Sequence, residues 1–389
     1  MARIALLLLA LAASRAAAAD PFITPEMDKL LMKGVDGIYN MKWDEAEGDA
    51  KKAIALNPEH PNGYMGLAGV LWTKYVYGTD QSDPALLEPF EASIKKTERV
   101  AEAWLKKHPK DAMGLMTLGS AYGIDSRLMV IHHQWLGAYW TGRKAVNITR
   151  EAVKADPQLW DAYLGLGMYD YYTDVYPRFI GVLAKVVLRG NRLRGIETLK
   201  LVAEKGHYSQ NNAKILLVEI FLEDQWGARN TKRAVELTQE LRATYPMSAM
   251  MHSSELVALN EDGRYKDVVK GGQEYLARVK KGLYAPIEEA KGEVCLATGL
   301  WALKRYDEAR EAFRRAQAVP YAGRPSRWAV WALVRQGNME DSLGRRAEAV
   351  RLYQLAAAQP DTWDFKRFAK AGLSKPFSQP LPGPIDPTD

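Results

Sequence analysis

Two stretches of the chain repeat one another in order and spacing. Ala290–Pro320 carries Leu296-Ala297, Leu300, Tyr306-Asp307-Glu308-Ala309, Phe313, Ala316 and Pro320; Val330–Pro360 carries Gly337, Leu343-Gly344, Arg346-Ala347-Glu348-Ala349, Tyr353, Ala356 and Pro360. A third copy lies at Met27–Pro58, with Gly34, Trp43-Asp44-Glu45-Ala46, Ala50, Ala53 and Asn57-Pro58. Self-similarity at a period of about 34 residues marks one supersecondary unit that cannot bury its apolar face alone and must stack on its neighbours. Further repeat ends align at Pro109, Pro157, His207 and Pro246, with a weaker unit around Asp262-Gly263-Arg264-Tyr265. About eight units are expected.

Close helix packing within each unit requires small residues at fixed places. The eighth position holds Gly34, Ala68, Gly119, Gly167, Ala297 and Gly337, broken by Glu219 and Leu256. The twentieth holds Ala46, Ala145, Gly195, Ala234, Ala309 and Ala349, broken by Thr97 and Val268. At their overall frequency Gly and Ala would fill fewer than two of eight places, so the pattern is a packing signal. Leu67, Leu118, Leu166 and Leu296 stand beside the small residues and supply the seam between helices.

This spacing resembles the tetratricopeptide repeat (TPR) over most of residues 25–360. The resemblance implies an all-α, right-handed superhelical solenoid of about eight helix pairs whose concave groove takes a protein or peptide, and the sparseness of chemistry-bearing residues leads to the expectation of a non-catalytic scaffold, not an enzyme. In that family positions two, five, nine, twelve and thirteen of the first helix resemble the groove lining. Carried over, they are Asn62, Met65, Trp72, Ser120, Asp161, Met168, Tyr171, Tyr172, Lys291, Trp301, Trp331 and Asn338. Aromatics are prominent here, and they bring contact area at low entropic cost. The central run Leu164-Gly165-Leu166-Gly167-Met168-Tyr169-Asp170-Tyr171-Tyr172 is similar to bacterial secreted relatives of a eukaryotic family that includes a yeast inclusion-body-clearance protein. That resemblance implies binding near membranes or envelope surfaces and no catalytic residue.

The first half departs from the plain repeat. Pro58, Pro109, Pro157 and His207 are 51, 48 and 50 residues apart, which places insertions at 74–90, 123–142 and 171–191. These define an alternative reading, a pocket-forming enzyme or small-ligand carrier. The array is expected over 20–360, a capping helix with Trp363, Phe365 and Phe368 over 361–374, and a Pro-rich tail over 375–389. Five prolines make that tail extended and poorly ordered by expectation, with Phe377 packing locally.

Met1–Ala19 has Arg3 before the apolar run Ile4–Ala13 and ends in small residues, the form of a secretory signal peptide cut after Ala19. Its apolar core is shorter than the roughly 20 residues that span a bilayer. No cysteine precedes Cys295, so a lipoprotein is excluded and a periplasmic or secreted product is expected. The net charge of +6 falls to +4 without Arg3 and Arg15, too mild to demand nucleic acid. The excess is local: Arg178, Lys185, Arg189, Arg192, Arg194, Lys200, Lys205 and Lys214 face Glu197 and Glu204 across 178–214. Beside the apolar segment Phe179–Leu188 they suggest a second alternative, weak peripheral membrane contact.

The residues that carry chemistry are sparse. His132 and His133 are adjacent and on a helix diverge by about 100°, which prevents chelation from one face. His60, His108, His207 and His252 are single. Neither the His-Glu-x-x-His nor the Gly-x-Ser-x-Gly pattern occurs, nor does a phosphate loop. Glu288-Glu289 and Glu45/Glu47 are expected on solvated helix faces, Cys295 as a small buried hydrophobe. No metal or cofactor is expected.

Overall fold

The computed structural model describes residues 21–79, 83–131, 134–175, 190–359, 365–379 and 381–385. Among them, eight helix pairs follow in order. They are α1 (Pro25–Tyr39) with α2 (Trp43–Leu56), α3 (Asn62–Thr73) with α4 (Leu87–Lys107), α5 (Ala112–Ile131) with α6 (Trp135–Ala155), and α7 (Ala162–Val175) with α8 (Arg192–Lys205). The second half continues with α9 (Gln210–Glu223) and α10 (Thr231–Thr244), α11 (Ala249–Glu261) and α12 (Tyr265–Lys280), α13 (Glu288–Ala302) and α14 (Tyr306–Gln317), then α15 (Arg327–Ser342) and α16 (Arg346–Ala357). A last helix, α17 (Phe365–Ser374), covers the end. The signal-peptide segment, His132-His133 and the segment 176–189 lie outside the described residues.

Local chemistry sets the helix starts. Thr24, Asn191, Asn230, Ser248 and Ser326 each accept an amide of the first turn on the side chain, and Pro25 follows Thr24 where its missing N–H costs nothing. The turn inside a repeat needs one left-handed residue. Gly263 and Gly344 supply it at φ +74° and +73°, while Met41 and Lys304 adopt φ 59° and 61° in the equivalent turns.

The small-residue pattern is the helix seam. A Cβ on Gly195 would stand 2.7 Å from the carbonyl oxygen of Gly167 and 2.7 Å from the amide nitrogen of Tyr171, so α7 and α8 touch backbone to backbone. A Cβ on Gly119 would stand 2.3 Å from the Thr149 hydroxyl oxygen. Ala46, Ala234, Ala309 and Ala349 are fully buried. The sixth pair, where Leu256 and Val268 break the pattern, moves the small residue along the second helix: a Cβ on Gly271 would come within 2.5 Å of Leu256 Cδ2. The seam is kept with its bulk exchanged between helices.

The insertions lengthen helices. Helices α4, α5 and α6 run 21, 20 and 21 residues, so 123–142 is largely continuous helix with α5 ending at Ile131 and α6 starting at Trp135. Within 74–90, α3 continues through a π turn at Lys74–Gly78, and a 3₁₀ turn at Pro84–Leu86 leads into α4. A two-residue hairpin pairs β1 (Pro320–Tyr321) with β2 (Arg324–Pro325). Burial, then the Asp83 carboxylate, push the Tyr321 phenol up, so the first insertion meets this hairpin.

The array also closes on itself near its beginning. Tyr245 donates to Asp36 Oδ1 at 3.0 Å, its ring lies 5.3 Å from that of Tyr39, and the Tyr208 hydroxyl bonds to Asp28. Met27, Leu31, Tyr39, Met250 and Met251 bury their side chains in the two clusters on either side of these bonds.

Candidate peptide groove in the last three repeats

The first helices of the last three repeats, α11, α13 and α15, are buried nearly throughout, and their inner side carries polar groups that packing alone does not require. Asn260 closes α11, Trp301 closes α13, and Trp331 and Arg335 lie one turn apart on α15. The Arg335 guanidinium sits 5.3 Å from the Trp301 ring and 5.8 Å from the Trp331 ring. It is 2% exposed and makes no ion pair among the described residues. Burial draws its pKa down to about 10, so it stays a cation at neutral pH.

The C-terminal tail fills this space. Phe377 donates its amide to Asp341 Oδ2 at 3.0 Å and sets its ring edge-on to Trp301 at 5.9 Å. Arg335 Nη2 donates to the Pro382 carbonyl, Asn260 Nδ2 to the Gly383 carbonyl at 3.1 Å, and Trp331 Nε1 to the Ile385 carbonyl at 2.7 Å. Ile385 is fully buried. The tail is therefore docked, a departure from the loose segment its prolines suggest. Prolines lack an N–H, and the carbonyls of Pro382, Gly383 and Ile385 take their partners from side chains of distant helices.

The other residues that the sequence placed in a groove are spread among different tasks. Trp331 stacks on Phe365 at 5.2 Å, so with Trp301 it is a floor covered by tail and capping helix. Trp72 is half-buried against Phe90, and Met65 is half-buried on the same helix. Asn62 is buried and accepts from Thr117 Oγ1 at 3.5 Å. Asp161 is buried and accepts the amides of His207, Tyr208 and Ser209 at 3.1, 2.9 and 2.7 Å, which ties the fourth repeat to the fifth. Tyr171 is buried and donates to Asp224 Oδ1 at 3.1 Å, with Tyr172 at right angles to it and Met168 half-buried nearby. Burial would raise the Asp224 carboxyl, but amides of Ala228 and Trp226, the Tyr171 hydroxyl and Arg192 hold it below the usual range. Asn338 accepts from the Tyr353 hydroxyl at 2.7 Å, and Ser120 is exposed.

One sequence expectation is overturned here. Glu288 is not on a solvated face: it is fully buried, with Lys291 Nζ 2.9 Å away and the Tyr275 hydroxyl bonded to it. Lys291, at 5% exposure, belongs to this buried pair and lies 5.7 Å from the Trp328 ring. Such a pair is held because either charge alone would be stranded. Sequence reasoning also missed Arg335, Asn260 and Asp341. The available signal was a lone arginine directly after the apolar run Trp328–Val334.

A second depression of about 390 Å³ is lined by Trp140, Arg143, Lys144, Asn147 and Ile148, and only Trp140 comes from the insertion 123–142. Among the described residues no three His, Cys, Asp or Glu side chains gather to hold a metal ion, and no helix is long and apolar enough to cross a membrane. Cys295 is fully buried.

No family model matches the sequence, and no curated protein does. Solved structures do match in shape. The crystal structure of the APC/C hetero-tetramer Cut9–Hcn1 aligns with 88% of this chain and 55% of that chain, at 14% identity and a TM-score of 0.50. The fold is an all-α repeat solenoid. This chain spans little more than half the length of that neighbour. Yeast Tom70 aligns at 12% identity over 90% of this chain and 88% of that chain with a TM-score of 0.41. The human IFIT1 dimer with m7Gppp-AAAA aligns at 12% identity over 89% and 84%, with a TM-score of 0.46.

Proposed function

We propose that the protein is a non-catalytic scaffold of the cell envelope that holds a protein or peptide partner against the inner face of its repeats. One observation carries this reading: the inner face of the last three repeats already grips an extended peptide segment, through Arg335, Asn260 and Trp331 on main-chain oxygens. A surface that binds main chain in this way is a recognition surface, and it makes no covalent demand on its ligand. The envelope setting is supported by the Met1–Ala19 leader and by the resemblance of Leu164–Tyr172 to secreted relatives. Trp72, Tyr172, Met65 and Ser120 extend the proposed contact surface into the first half.

The test is cross-linking mass spectrometry on the full-length protein recovered from its native envelope. The expected result is an amino terminus at Asp20 and partner cross-links on the faces of α11, α13 and α15. An intact Met1 in envelope fractions would remove the export reading. Cross-links confined to the outer helices would remove the groove reading.

A further inference from the structure

We propose that residues 375–385 are a displaceable ligand carried in cis, and that the groove between Asn260, Trp301, Trp331 and Arg335 takes, in exchange for it, an extended proline-bearing peptide with a branched aliphatic residue at the place of Ile385. This rests on the scaffold reading and adds to it the chemistry of the partner and a gate.

The recognition is almost entirely of main chain. Within Pro382–Ile385, three carbonyls meet three side-chain donors, from Arg335, Asn260 and Trp331. A peptide rich in proline suits such a site, because it is pre-extended and has few N–H groups to leave unpaired. Among the described tail residues the buried side chains are Pro382 and Ile385, and half-buried Phe377 lies on the Trp301 ring.

The tail does not use all that the groove offers. Arg335 is 2% exposed, yet its Nε has no hydrogen-bond partner, and Asn260 is 5% exposed with Oδ1 unpartnered. Buried polar atoms without partners are costly, so the cis tail is a compromise occupant held by its tether. The tether is short: α17 ends at Ser374 and the tail follows at once. A linked segment of that length acts at a concentration on the order of millimolar, so a free peptide must outbid it.

The probe is a fluorescent synthetic peptide of residues 375–389, titrated by anisotropy against the full-length protein. Binding to the natural chain should be weak. Ile385→Asp, which expels the resident tail, should bind the probe at least about tenfold more tightly. Adding Arg335→Gln to that variant should reverse the gain, while a probe with its isoleucine replaced by aspartate should not bind. A second protein, with a protease site inserted between Ser374 and Lys375, folds with the tail in place and is cut afterwards. It answers the question if Ile385→Asp does not fold, because its tail should then exchange with the probe. A cut tail that never exchanges, or Ile385→Asp binding no better than the natural chain, would overturn the proposal. No envelope partner enters this measurement, so its failure is separate from a failure of the scaffold reading.

Discussion

The indole N–H of Trp331 donates to the main-chain oxygen of Ile385 over 2.7 Å, across 54 residues of chain. The same indole stacks on Phe365 at 5.2 Å, so one side chain holds both the capping helix and the tail. Its two roles separate by chemistry, since only the tail contact needs the nitrogen.

Trp331→Phe should therefore keep the stacking and lose the donor. The expected cost is about 1 kcal/mol of stability, the usual net worth of one hydrogen bond. Hydrogen exchange should quicken at the Phe377 amide and at the other tail amides, while the amides of α13 stay unchanged. Equal acceleration in α13 would mean that the substitution disturbs the repeat itself.

The α7–α8 seam gives a paired test of register. Gly195→Ala places a methyl 2.7 Å from two backbone atoms and should cost about 1–3 kcal/mol by forcing the helices apart. Gly165→Ala, on the same repeat, meets nothing within 4 Å and should stabilise by up to about 1 kcal/mol. Thermal melts that move in the same direction for both would refute the close approach.

His252 makes acid stability specific. It is fully buried, bonded to the Tyr284 hydroxyl at 3.1 Å, and burial, with Arg242 and Arg278 outweighing Glu274, takes its pKa down to about 3. The unfolded chain protonates this ring near pH 6.5, so the folded state loses stability as pH falls from there toward about 3. At about pH 4.5 the loss is on the order of 3 kcal/mol, and above about pH 6.5 it vanishes. His252→Phe should flatten the slope of unfolding free energy in that window by nearly one proton. An unchanged slope in denaturant titrations would show that the ring is not held neutral.

Closure of the array can be measured directly. Tyr245 and Asp36 are bonded at 3.0 Å although they stand 209 positions apart in the chain. A double-mutant cycle with Tyr245→Phe and Asp36→Asn should give a coupling energy of about 0.5–3 kcal/mol. Strict additivity would mean that the first repeat does not reach the fifth.

The repeats were legible because their signal is local. Gly34 with Ala46, Gly119 with Ala145 and Gly167 with Gly195 lie within one unit each, and small residues at a fixed spacing report directly on how closely two helices pass. Even the exception at Leu256 obeys the same rule through Gly271. The groove was only half legible. Trp301 and Trp331 take lining positions by the count of the repeat, but what covers them is the tail, and a contact between residues 331 and 385 leaves no periodic trace. Arg335 and Asn260 matter through carbonyls of proline and glycine, whose side chains give no hint of a partner. Glu288 was misread for a related reason: its pairing with Tyr275 depends on how two helices are rotated, which the run Glu288-Glu289 does not encode.

A stack of repeats in contact only with nearest neighbours behaves as a soft spring, able to stretch, coil or shed terminal units one at a time. The bonds from Asp28 and Asp36 to Tyr208 and Tyr245 restrain that freedom in the first five repeats. Those five repeats are latched, so pulling between residues 28 and 245 should meet a stiff rise and a single rupture in place of a long compliant extension. The curvature of that part is then set once, at folding, while the three repeats that grip the tail stay free to flex against one another.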